Sequence, residues 1–538
     1  MKKSAYRKKG PQTAVGAPKL LVVVVIGVMV LLSGCRTRLK PSGEQPAQAA
    51  QQLTVAITTD VETWYLDKFP EGDARFVWAQ VYETLVRLTP DLKLTEGLAT
   101  SWEADADGKV WTFHLRPGVT FHDGTPFNAA AVAFSYGKQS YAARTILRPL
   151  KRVEVVDNHT VRFILSRPMP LPYYLTHIGW PVMSPSCVDD RGQFVAPVGT
   201  GPFRFKSQTT DQEIVLVRNN HYWGGRPQLQ EVIFKILPEA SARVIGLEAG
   251  DLDMIVKVPE SEVARLTAEA GTTVHRTLST FTDFLQFNCE QAPFDDVRLR
   301  RAVAAAIDTE QLADQILEGV GQPAYGGPLS PVLSYYCPDL KLIQHNPQQA
   351  RQLIAEAGWR DRDGDGIVEK HGAPLTARLL VNPAANVGSG SRFVLMAEAI
   401  QGQLRDVGID VQIKVLERGA FLQAEAQGEF EMLLRTGFYL WGAYPRHFFL
   451  HFSGNEYSHY SDPEYDQLIT QADATVDREP QRKLYWRLQR ETLARLPAFY
   501  LVHEEKVVAT RACVAGYQIS AEPPWLNLAG IHIRSESQ

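Results

Sequence analysis

The stretch that decides the fold spans residues 115–127 and reads LRPGVTFHDGTPF. It closes a run in which large apolar side chains alternate with polar ones, the period of a half-buried β-strand. The apolar members of that run are Trp111, Phe113 and Leu115. The Gly, Pro and Asp residues that follow predict a turn, so we interpret His122 and Asp123 as turn residues and not as a catalytic pair.

The first half of the chain is rich in short-strand patterns. Residues 53–57 alternate apolar with small or polar side chains, and an Asp-Gly pair at 107–108 supplies the positive φ that a tight hairpin requires. Further strand patterns cover residues 153–165 and 214–217. Apolar positions at helical spacing between residues 76 and 88 predict an amphipathic helix.

The second half alternates helices with strands. Asn346 and Gly358 mark the beginning and the end of one predicted helix, as an N-cap and a left-handed C-cap. Strand patterns at residues 376–381 and 411–415 flank a helical stretch at 393–404. This β-α-β order predicts an α/β fold with a mostly parallel sheet.

The first 35 residues have the pattern of an export signal. An unbroken apolar run at residues 20–32 follows a basic segment, and it is shorter than the roughly 20 residues needed to cross a bilayer. It leads into Leu-Ser-Gly-Cys, which resembles a bacterial lipobox. We therefore expect residues 1–34 to be removed and Cys35 to carry diacylglycerol on its sulfur, with residues 35–52 as a flexible tether. An uncleaved signal anchor and a chance cysteine are the alternatives.

The bulk composition narrows the class of protein. A chain of 538 residues favours two or three domains, and 56 basic against 60 acidic residues give no basic surface for nucleic acid. Four cysteines follow Cys35, in a compartment that permits disulfides. They are Cys187, Cys289, Cys337 and Cys513. Both a disulfide pairing and free buried thiols are compatible with the sequence.

One acidic stretch suggests calcium. Residues 361–366 read DRDGDG and match the start of a calcium loop, with carboxylates at its first, third and fifth positions. The bidentate Glu that should close such a loop is replaced by Gly372, whereas Glu369 stands earlier. The alternative is a polar turn between a helix and a strand.

Signals for catalysis and other metals are weak or absent. The sequence has no phosphate-binding loop of the Gly-x-x-x-x-Gly-Lys type, no His-Glu-x-x-His and no Gly-x-Ser-x-Gly. His447 and His451 have the spacing of one helix face, but histidines in an aromatic segment more often pack than bind metal. We therefore expect neither an enzyme nor a bound cofactor.

Several further stretches carry a recognisable pattern. They are YETLV at 82–86, GTGPF at 199–203, NNHYWGGRP at 219–227, LEAGDLD at 247–253, PFDDVR at 293–298, the helix at 346–359 and DPEYD at 462–466. Together with residues 115–127, these stretches resemble the extracellular solute-binding proteins of family 5, the dipeptide, oligopeptide and nickel receptors of ABC importers. They follow the family's order from about residue 53 to near the C-terminus.

The resemblance implies a two-lobed periplasmic binding protein of type II that closes on its ligand, with the chain crossing between lobes near residues 276–281 and 503–508. The implied boundaries are 53–278 for lobe I, including an extra subdomain at about 90–190, then 279–503 for lobe II and 504–538 for a return to lobe I.

The implied function is a lipid-anchored, monomeric substrate-binding protein that gives a small peptide or a peptide-sized polar solute to an ABC permease. Three alternatives stay open. The protein could be a receptor that reports ligand to a signalling partner, a binder of a metal chelate or an anionic amino-acid derivative, or an extracytoplasmic enzyme on a borrowed scaffold.

The sequence departs from the peptide-binding members at residues 437–447, which read GFYLWGAYPRH. Those members supply an aspartate there for the peptide's α-ammonium, but this acid is missing and Arg446 replaces a second one. This change favours a ligand with an anionic or neutral end at this point, unless Asp60 or Asp283 substitutes for the lost acid or Arg446 lies on the surface. The predicted ligand-binding residues are Thr59, Asp60, Phe281, Asp283, Phe438, Tyr439, Trp441, Gly442, Ala443, Tyr444 and Arg446.

Overall fold

The structure is a computed structural model that describes residues 51–137, 140–383, 392–437, 443–452, 458–522 and 527–535, without the side chains of His447 and Leu450. The strands are β1 (Gln52–Ile57), β2 (Val86–Leu88), β3 (Leu94–Glu96), β4 (Ala99–Ala104), β5 (Val110–Leu115), β6 (Leu150–Asp157), β7 (Thr160–Leu165), β8 (Phe203–Thr209), β9 (Glu213–Arg218), β10 (Glu231–Ile236), β11 (Met254–Val256), β12 (Thr272–Phe287), β13 (Gly321–Pro323), β14 (Glu369–Lys370), β15 (Ala373–Pro374), β16 (Thr376–Val381), β17 (Asp410–Val415), β18 (Met432–Thr436), β19 (Ala498–Arg511), β20 (Val514–Ala515) and β21 (His532–Ile533). The helices are α1 (Ala74–Val81), α2 (Ala129–Ser135), α3 (Tyr141–Arg144), α4 (Leu171–Tyr174), α5 (Ala240–Ala249), α6 (Glu260–Ala268), α7 (Val297–Ala306), α8 (Thr309–Gln311), α9 (Pro347–Glu356), α10 (Arg392–Arg405), α11 (Arg418–Ala426), α12 (Arg446–Leu450), α13 (Pro463–Ala474) and α14 (Arg478–Arg495).

Two long antiparallel strands join the two halves of the main sheet. The sheet order is β17-β16-β18-β12-β19-β11-β1-β10-β9-β8, with β13 also on β19. In the first half β1 runs parallel to β10 and β11, and in the second β16 runs parallel to β17 and β18. The pairing of β12 with β19 is irregular between Leu278 and Thr282, which overlaps the predicted crossing at residues 276–281. We call this place the crossover; the lobe boundaries themselves stay a prediction.

The stretch at residues 115–127 ends one strand of a separate four-stranded sheet, of order β4-β5-β7-β6. Asp105 and Gly108 form the tight turn between β4 and β5: Gly108 has φ +64°, and the Asp105 carboxylate accepts hydrogen bonds from two backbone N–H groups. The alternating apolar side chains of β5 are buried. The predicted hairpin is confirmed, and its sheet lies within the range predicted for the extra subdomain.

One predicted helix is too long. The sequence pattern placed a helix at residues 76–88, but α1 ends at Val81 and Tyr82 is already extended. Gly199 and Gly201 pack against the end of α1 so closely that a Cβ at Gly199 would lie 2.0 Å from the Val81 carbonyl oxygen. Contacts from a distant segment therefore end the helix, and these contacts leave no local signal.

Four of the stretches that resemble the family meet in one buried cluster. The Glu83 carboxylate accepts hydrogen bonds from Thr200 Oγ1 at 2.8 Å, Tyr222 OH at 2.9 Å and Trp223 Nε1 at 2.7 Å. The His122 ring is 3.0 Å from the carbonyl oxygen of Gly201. We call these residues the Glu83 cluster. The Glu83 cluster gives these four stretches a structural role, because they bind one another. This role agrees with the interpretation of His122 as a structural residue.

The four cysteines after Cys35 are free thiols in the structure. Burial raises the pKa of the Cys187 thiol to about 12 and that of Cys289 to about 11, so both are inert as nucleophiles near neutral pH. Of the two interpretations that the sequence left open, the structure corresponds to free thiols.

The acidic stretch at 361–366 forms an exposed turn. Oxygen atoms of Asp361, Asp363, Asp365 and Glu369 lie within 4.8 Å of one another. The same carboxylates accept backbone hydrogen bonds, for example Asp361 from the N–H groups of Gly364 and Gly366. This geometry is that of a polar turn, the interpretation that the sequence favoured, and calcium stays the alternative to it.

The described histidines near residue 450 have protein partners. The His451 ring is 2.7 Å from Gln286 Oε1, and the His459 ring is 2.7 Å from the carbonyl oxygen of Glu425. Burial lowers the pKa of His451 well below its usual value. The packing interpretation fits His451, and the side chain of His447 lies outside the described residues.

Candidate ligand-binding cleft

The strand topology makes the crossover the candidate position of a ligand-binding cleft. In α/β sheets, ligands bind outside the carboxyl ends of parallel strands, where the strand order reverses. Thr58 and Lys257 follow β1 and β11 in the first half, and Gly437 follows β18 in the second. A Cβ at Gly437 would lie 2.9 Å from the Thr282 backbone nitrogen, so this loop passes directly against the crossover.

The first half contributes a buried ion pair. Lys257 Nζ lies 2.7 Å from Asp73 Oδ1, and Asp73 Oδ2 accepts hydrogen bonds from the backbone N–H and the hydroxyl of Thr58. Burial alone would raise the pKa of Asp73, but the Lys257 charge and the Thr58 donors hold it below its ordinary value. Lys257 has φ +53°, a left-handed conformation that costs about 1–3 kcal/mol and concentrates at functional sites.

A second set of charges lies on the crossover, and we call it the crossover charge cluster: Asp283, Arg392, Glu504, Lys506 and Glu260. Arg392, 5% exposed, begins α10 in the second half. Its guanidinium lies 3.0 Å from Asp283 Oδ2, 3.7 Å from Glu504 Oε1 and 3.4 Å from Glu260 Oε1. Glu260 begins α6 in the first half, so one buried arginine connects the two halves.

The carboxylates of this cluster differ in acidity. Burial raises the pKa of Asp283 to about 7, and the Glu504 charge adds to that rise while Arg392 opposes it. Glu504 is also buried, but Lys506 Nζ at 2.9 Å, together with Arg392, lowers its pKa to about 2. Glu504 therefore stays ionised, and Asp283 is the member that takes up a proton first.

Aromatic side chains lie beside cations in two places, one in the crossover charge cluster and one near Arg75. Phe281 is 8% exposed, and Lys506 Nζ lies 4.6 Å from the centre of its ring, within the range of a cation–π contact. Phe69 stacks on His177 with ring centres 5.5 Å apart, and the Arg75 guanidinium lies 5.9 Å from the centre of the Phe69 ring. Such rings supply the apolar walls that are common in ligand clefts.

Thr59 and Asp60 line a cavity of about 640 Å³ together with Phe69. The Asp60 carboxylate already accepts hydrogen bonds from the Val61 N–H at 2.7 Å, Gln208 Nε2 at 2.9 Å and the Asp211 N–H at 2.9 Å. Thr59 and Asp60 thus lie at the opening of one cavity. Phe281 and Asp283 lie on β12 at the crossover.

The altered segment is described only at its end. Phe438, Tyr439, Trp441 and Gly442 lie outside the described residues. Ala443 is buried with φ +60°, and Tyr444 is fully buried, stacked on Tyr173 with its hydroxyl 2.9 Å from that of Tyr485. Arg446 forms an ion pair with Asp473. Tyr444 and Arg446 thus have protein partners, and a contact of either residue with the ligand stays a prediction.

Four charged residues of this region were not predicted from the sequence: Arg392, Lys257, Glu504 and Lys506. One signal was present, because the charged run HEEK at residues 503–506 interrupts an otherwise apolar strand. Charged residues are almost never fully buried unless they are paired, so such a run inside a long buried strand indicates a site. The partner of this run, Arg392, belongs to a helix far away in sequence and could not be assigned.

The comparisons with known proteins agree with this architecture. The family model of the bacterial extracellular solute-binding proteins, family 5 Middle, matches residues 93–459. The chain belongs to this family. It is 29% identical to the nickel-binding periplasmic protein of Escherichia coli strain K12 over 461 residues, which are 80% of this chain and 83% of that protein. It is 26% identical to the oligopeptide-binding protein AppA of Bacillus subtilis strain 168, over 93% and 95% of the two chains.

A solved structure shows the same fold. NikA from Brucella suis in complex with Fe(III)-EDTA superposes with a TM-score of 0.82 at 24% identity, over 90% of this chain and all of that one (100%). The expected two-lobed, type II α/β fold is therefore confirmed. Within the residues described, no helix combines the length and the apolar character needed to cross a membrane.

Proposed function

We propose that this solute-binding protein is the lipid-anchored receptor of an ABC importer and that it captures a small peptide or a peptide-sized polar solute. The observation that carries the proposal is the crossover charge cluster, in which Arg392 on the second half reaches Glu260 on the first. Buried charges at the junction of two lobes suit a polar ligand better than an apolar one. The family supports the transport role.

Closure of the lobes provides the mechanism. A ligand that contacts both halves only when they are together stabilises the closed state by its differential affinity, and a permease can recognise that state. The ligand surface would comprise Thr59, Asp60, Phe281 and the loop after β18. The hinge lies at the irregular pairing after Leu278, with lobe I proposed as 53–278 and 504–538, and lobe II as 279–503. No covalent step is required.

The N-terminus would hold the protein at the membrane. We propose that residues 1–34 are removed, that Cys35 carries the lipid and that the following segment to residue 52 tethers a monomeric receptor near its permease. Replacement of Cys35 by Ala should move the protein from the membrane fraction to the soluble extracytoplasmic fraction. An unchanged membrane association of the C35A protein would contradict lipidation at this position.

The binding function is tested on the mature chain without its lipid. We expect native mass spectrometry of freshly purified protein to show a retained small molecule, and the melting temperature to rise with short peptides. Nickel–histidine chelates and glucose serve as the comparison ligands. If none of the peptides or chelates raises the melting temperature, and no small molecule is retained, the receptor function is wrong.

A further inference from the structure

The two halves of the protein also meet at a second place, away from the crossover. The second half has three buried tyrosines there, Tyr335, Tyr444 and Tyr485. Tyr173 of α4 stacks on Tyr444 with ring centres 5.4 Å apart, and its ring centre lies 6.2 Å from that of Tyr335. The ring centre of Tyr174, also on α4, lies 6.1 Å from that of Tyr444. We call these five residues the tyrosine cluster.

The main chain of α4 is held by the first half. Trp111 Nε1, on β5, donates a hydrogen bond to the Met169 carbonyl oxygen just before α4, at 3.0 Å. Trp180 Nε1 donates to the Tyr174 carbonyl oxygen at the end of α4, at 2.6 Å. The four-stranded sheet of order β4-β5-β7-β6 therefore helps to fix the backbone of α4, while the two tyrosine side chains reach the second half.

The polar groups on the second-half side satisfy one another. Tyr485 OH donates to Tyr444 OH at 2.9 Å, and Gln481 Nε2 donates to the same oxygen at 3.2 Å. Tyr335 OH donates to Gln481 Oε1 at 2.8 Å. Between the halves, the hydroxyls of Tyr335 and Tyr173 are 3.4 Å apart, which is long for a hydrogen bond between two hydroxyls. Ring contacts therefore dominate this interface, and the network of the second half can persist when α4 leaves.

Two further contacts join the halves around the tyrosine cluster. Burial raises the pKa of Tyr174, and the charge of Arg446 opposes this rise. Arg446 is paired with Asp473 inside the second half, so its charge stays compensated without α4. The turn between β4 and β5 also touches the second half, because a Cβ at Gly108 would lie 2.7 Å from Val476 Cγ2.

We propose that Tyr173 and Tyr174 are a latch that holds the first half against the second. The latch gives the four-stranded sheet a function, which is to present α4 to the second half. It lies apart from the hinge, since no member of the tyrosine cluster belongs to β12 or β19. The latch stabilises the closed state without contact with the ligand, so it sets the closed population on which the affinity for any ligand depends. This inference rests on the proposed function, because a latch requires halves that open and close.

The opening of the halves is measured by double electron–electron resonance on the mature chain without its lipid. One spin label is attached at Ile245 on α5 of the first half and the other at Leu422 on α11 of the second, because both side chains are exposed. Each of these residues is replaced by p-acetylphenylalanine, whose ketone reacts with a hydroxylamine spin label, so the native thiols stay unlabelled. The distance distribution gives the ratio of open to closed molecules.

Two substitutions weaken the interface, and each has a matched control. Tyr173→Ala removes the stacked ring, whereas Tyr173→Phe keeps the ring and removes only the hydroxyl. Val476→Glu places a negative charge against a turn on which Asp105 and Asp107 outnumber Lys109, whereas Val476→Lys places a positive charge there. Val476 is 43% exposed, so its substitution does not disturb the core, and circular dichroism verifies that every variant is folded.

We expect Tyr173→Ala and Val476→Glu each to raise the ratio of open to closed molecules about tenfold, the upper size of one aromatic contact. Their combination should raise it about a hundredfold, because contacts without a shared partner add. Both controls should stay within threefold of wild type.

The outcomes separate the latch from the proposed function. The latch alone is overturned if the double variant has the wild-type distance distribution, or if Tyr173→Phe opens as far as Tyr173→Ala, while a casein hydrolysate still changes the wild-type distances. If neither the hydrolysate, nor nickel–histidine chelates, nor any variant changes the distances, the halves do not move. That result contradicts the closure on which the proposed function depends, and the latch with it.

Discussion

Two regions of this protein bury carboxylates and neutralise them in different ways. In the Glu83 cluster, uncharged donors from two distant stretches surround one carboxylate, all within the first half. In the crossover charge cluster, three carboxylates share Arg392 and Lys506, and the members come from both halves.

This difference distinguishes a rigid structural core from a region that spans the two halves. Directional hydrogen bonds from Thr, Tyr and Trp hold one geometry, and this suits a rigid core. Ion pairs tolerate changes of distance more easily, because charges interact over several ångströms. A set of charges that spans two halves can therefore change its pairing if the halves move, which is what the proposed hinge at the crossover requires.

The largest expected effect is on the scaffold. Replacement of Glu83 by Ala removes the common acceptor of Thr200, Tyr222 and Trp223 and leaves their donors buried without a partner. We expect the free energy of unfolding to fall by about 4 kcal/mol, measured by urea titration. The Glu231→Ala variant removes only a carboxylate that pairs with the exposed Lys206, and it should lose less than about 1 kcal/mol. Equal losses in the two variants would contradict the scaffold role.

The next effect concerns the crossover. Arg392→Met leaves Asp283 in the interior without its cation, and we expect a loss of about 3 kcal/mol. Adding Asp283→Asn should restore part of this loss, because the uncompensated charge disappears. A double-mutant cycle of unfolding free energies measures the coupling. Strict additivity of the two substitutions would show that the pair is not coupled.

Lowering the pH should change the contributions of the two regions to the free energy of unfolding in opposite directions. Burial lowers the pKa of His122 to about 4, so its contribution is present above its unfolded pKa of about 6.5 and is lost as the pH falls towards 4. The pKa of Asp283 is raised to about 7, so its contribution is present below about pH 3.9 and is lost as the pH rises towards 7.

Unfolding titrations across this range test the signs. Relative to wild type, His122→Gln should make stability rise less steeply with pH, by at most about 1.4 kcal/mol per pH unit. Asp283→Asn should make it rise more steeply. Slopes that change in the same direction in both variants would contradict the assignment.

The smallest effect is expected at the acidic turn. Asp361 is exposed and accepts two backbone hydrogen bonds, so Asp361→Asn should change the free energy of unfolding by about 0.5 kcal/mol or less. As a polar turn, it should also show no shift of melting temperature with millimolar calcium. A rise that grows with calcium concentration would establish the calcium site instead.

The parts of the fold that the sequence predicted are those with local causes. The hairpin before residue 115, the cap at Asn346 and the strands around α10 follow from alternation and turn residues nearby. The end of α1 could not be predicted, because Gly199 and Gly201, which pack against it, belong to a distant part of the chain. The partners of Glu83 are equally distant, 117 and 140 residues along the chain. The crossover charge cluster is also long-range: a single residue such as Arg392 has no periodicity, and only the fold brings it to Asp283.

The hydrogen bonds between Gln51 and Ile533 place both ends of the described chain at one corner of the first half, with Gln51 Nε2 at 2.8 Å from the Ile533 carbonyl oxygen. Chains whose ends lie together tolerate circular permutation. A short linker could join these two ends, and new termini could be opened in the exposed turn at residues 361–366. A fluorescent donor attached to the new termini would then lie on the second half, and an acceptor attached to the linker would lie on the first. Energy transfer between the two would report lobe closure without any label in the cleft.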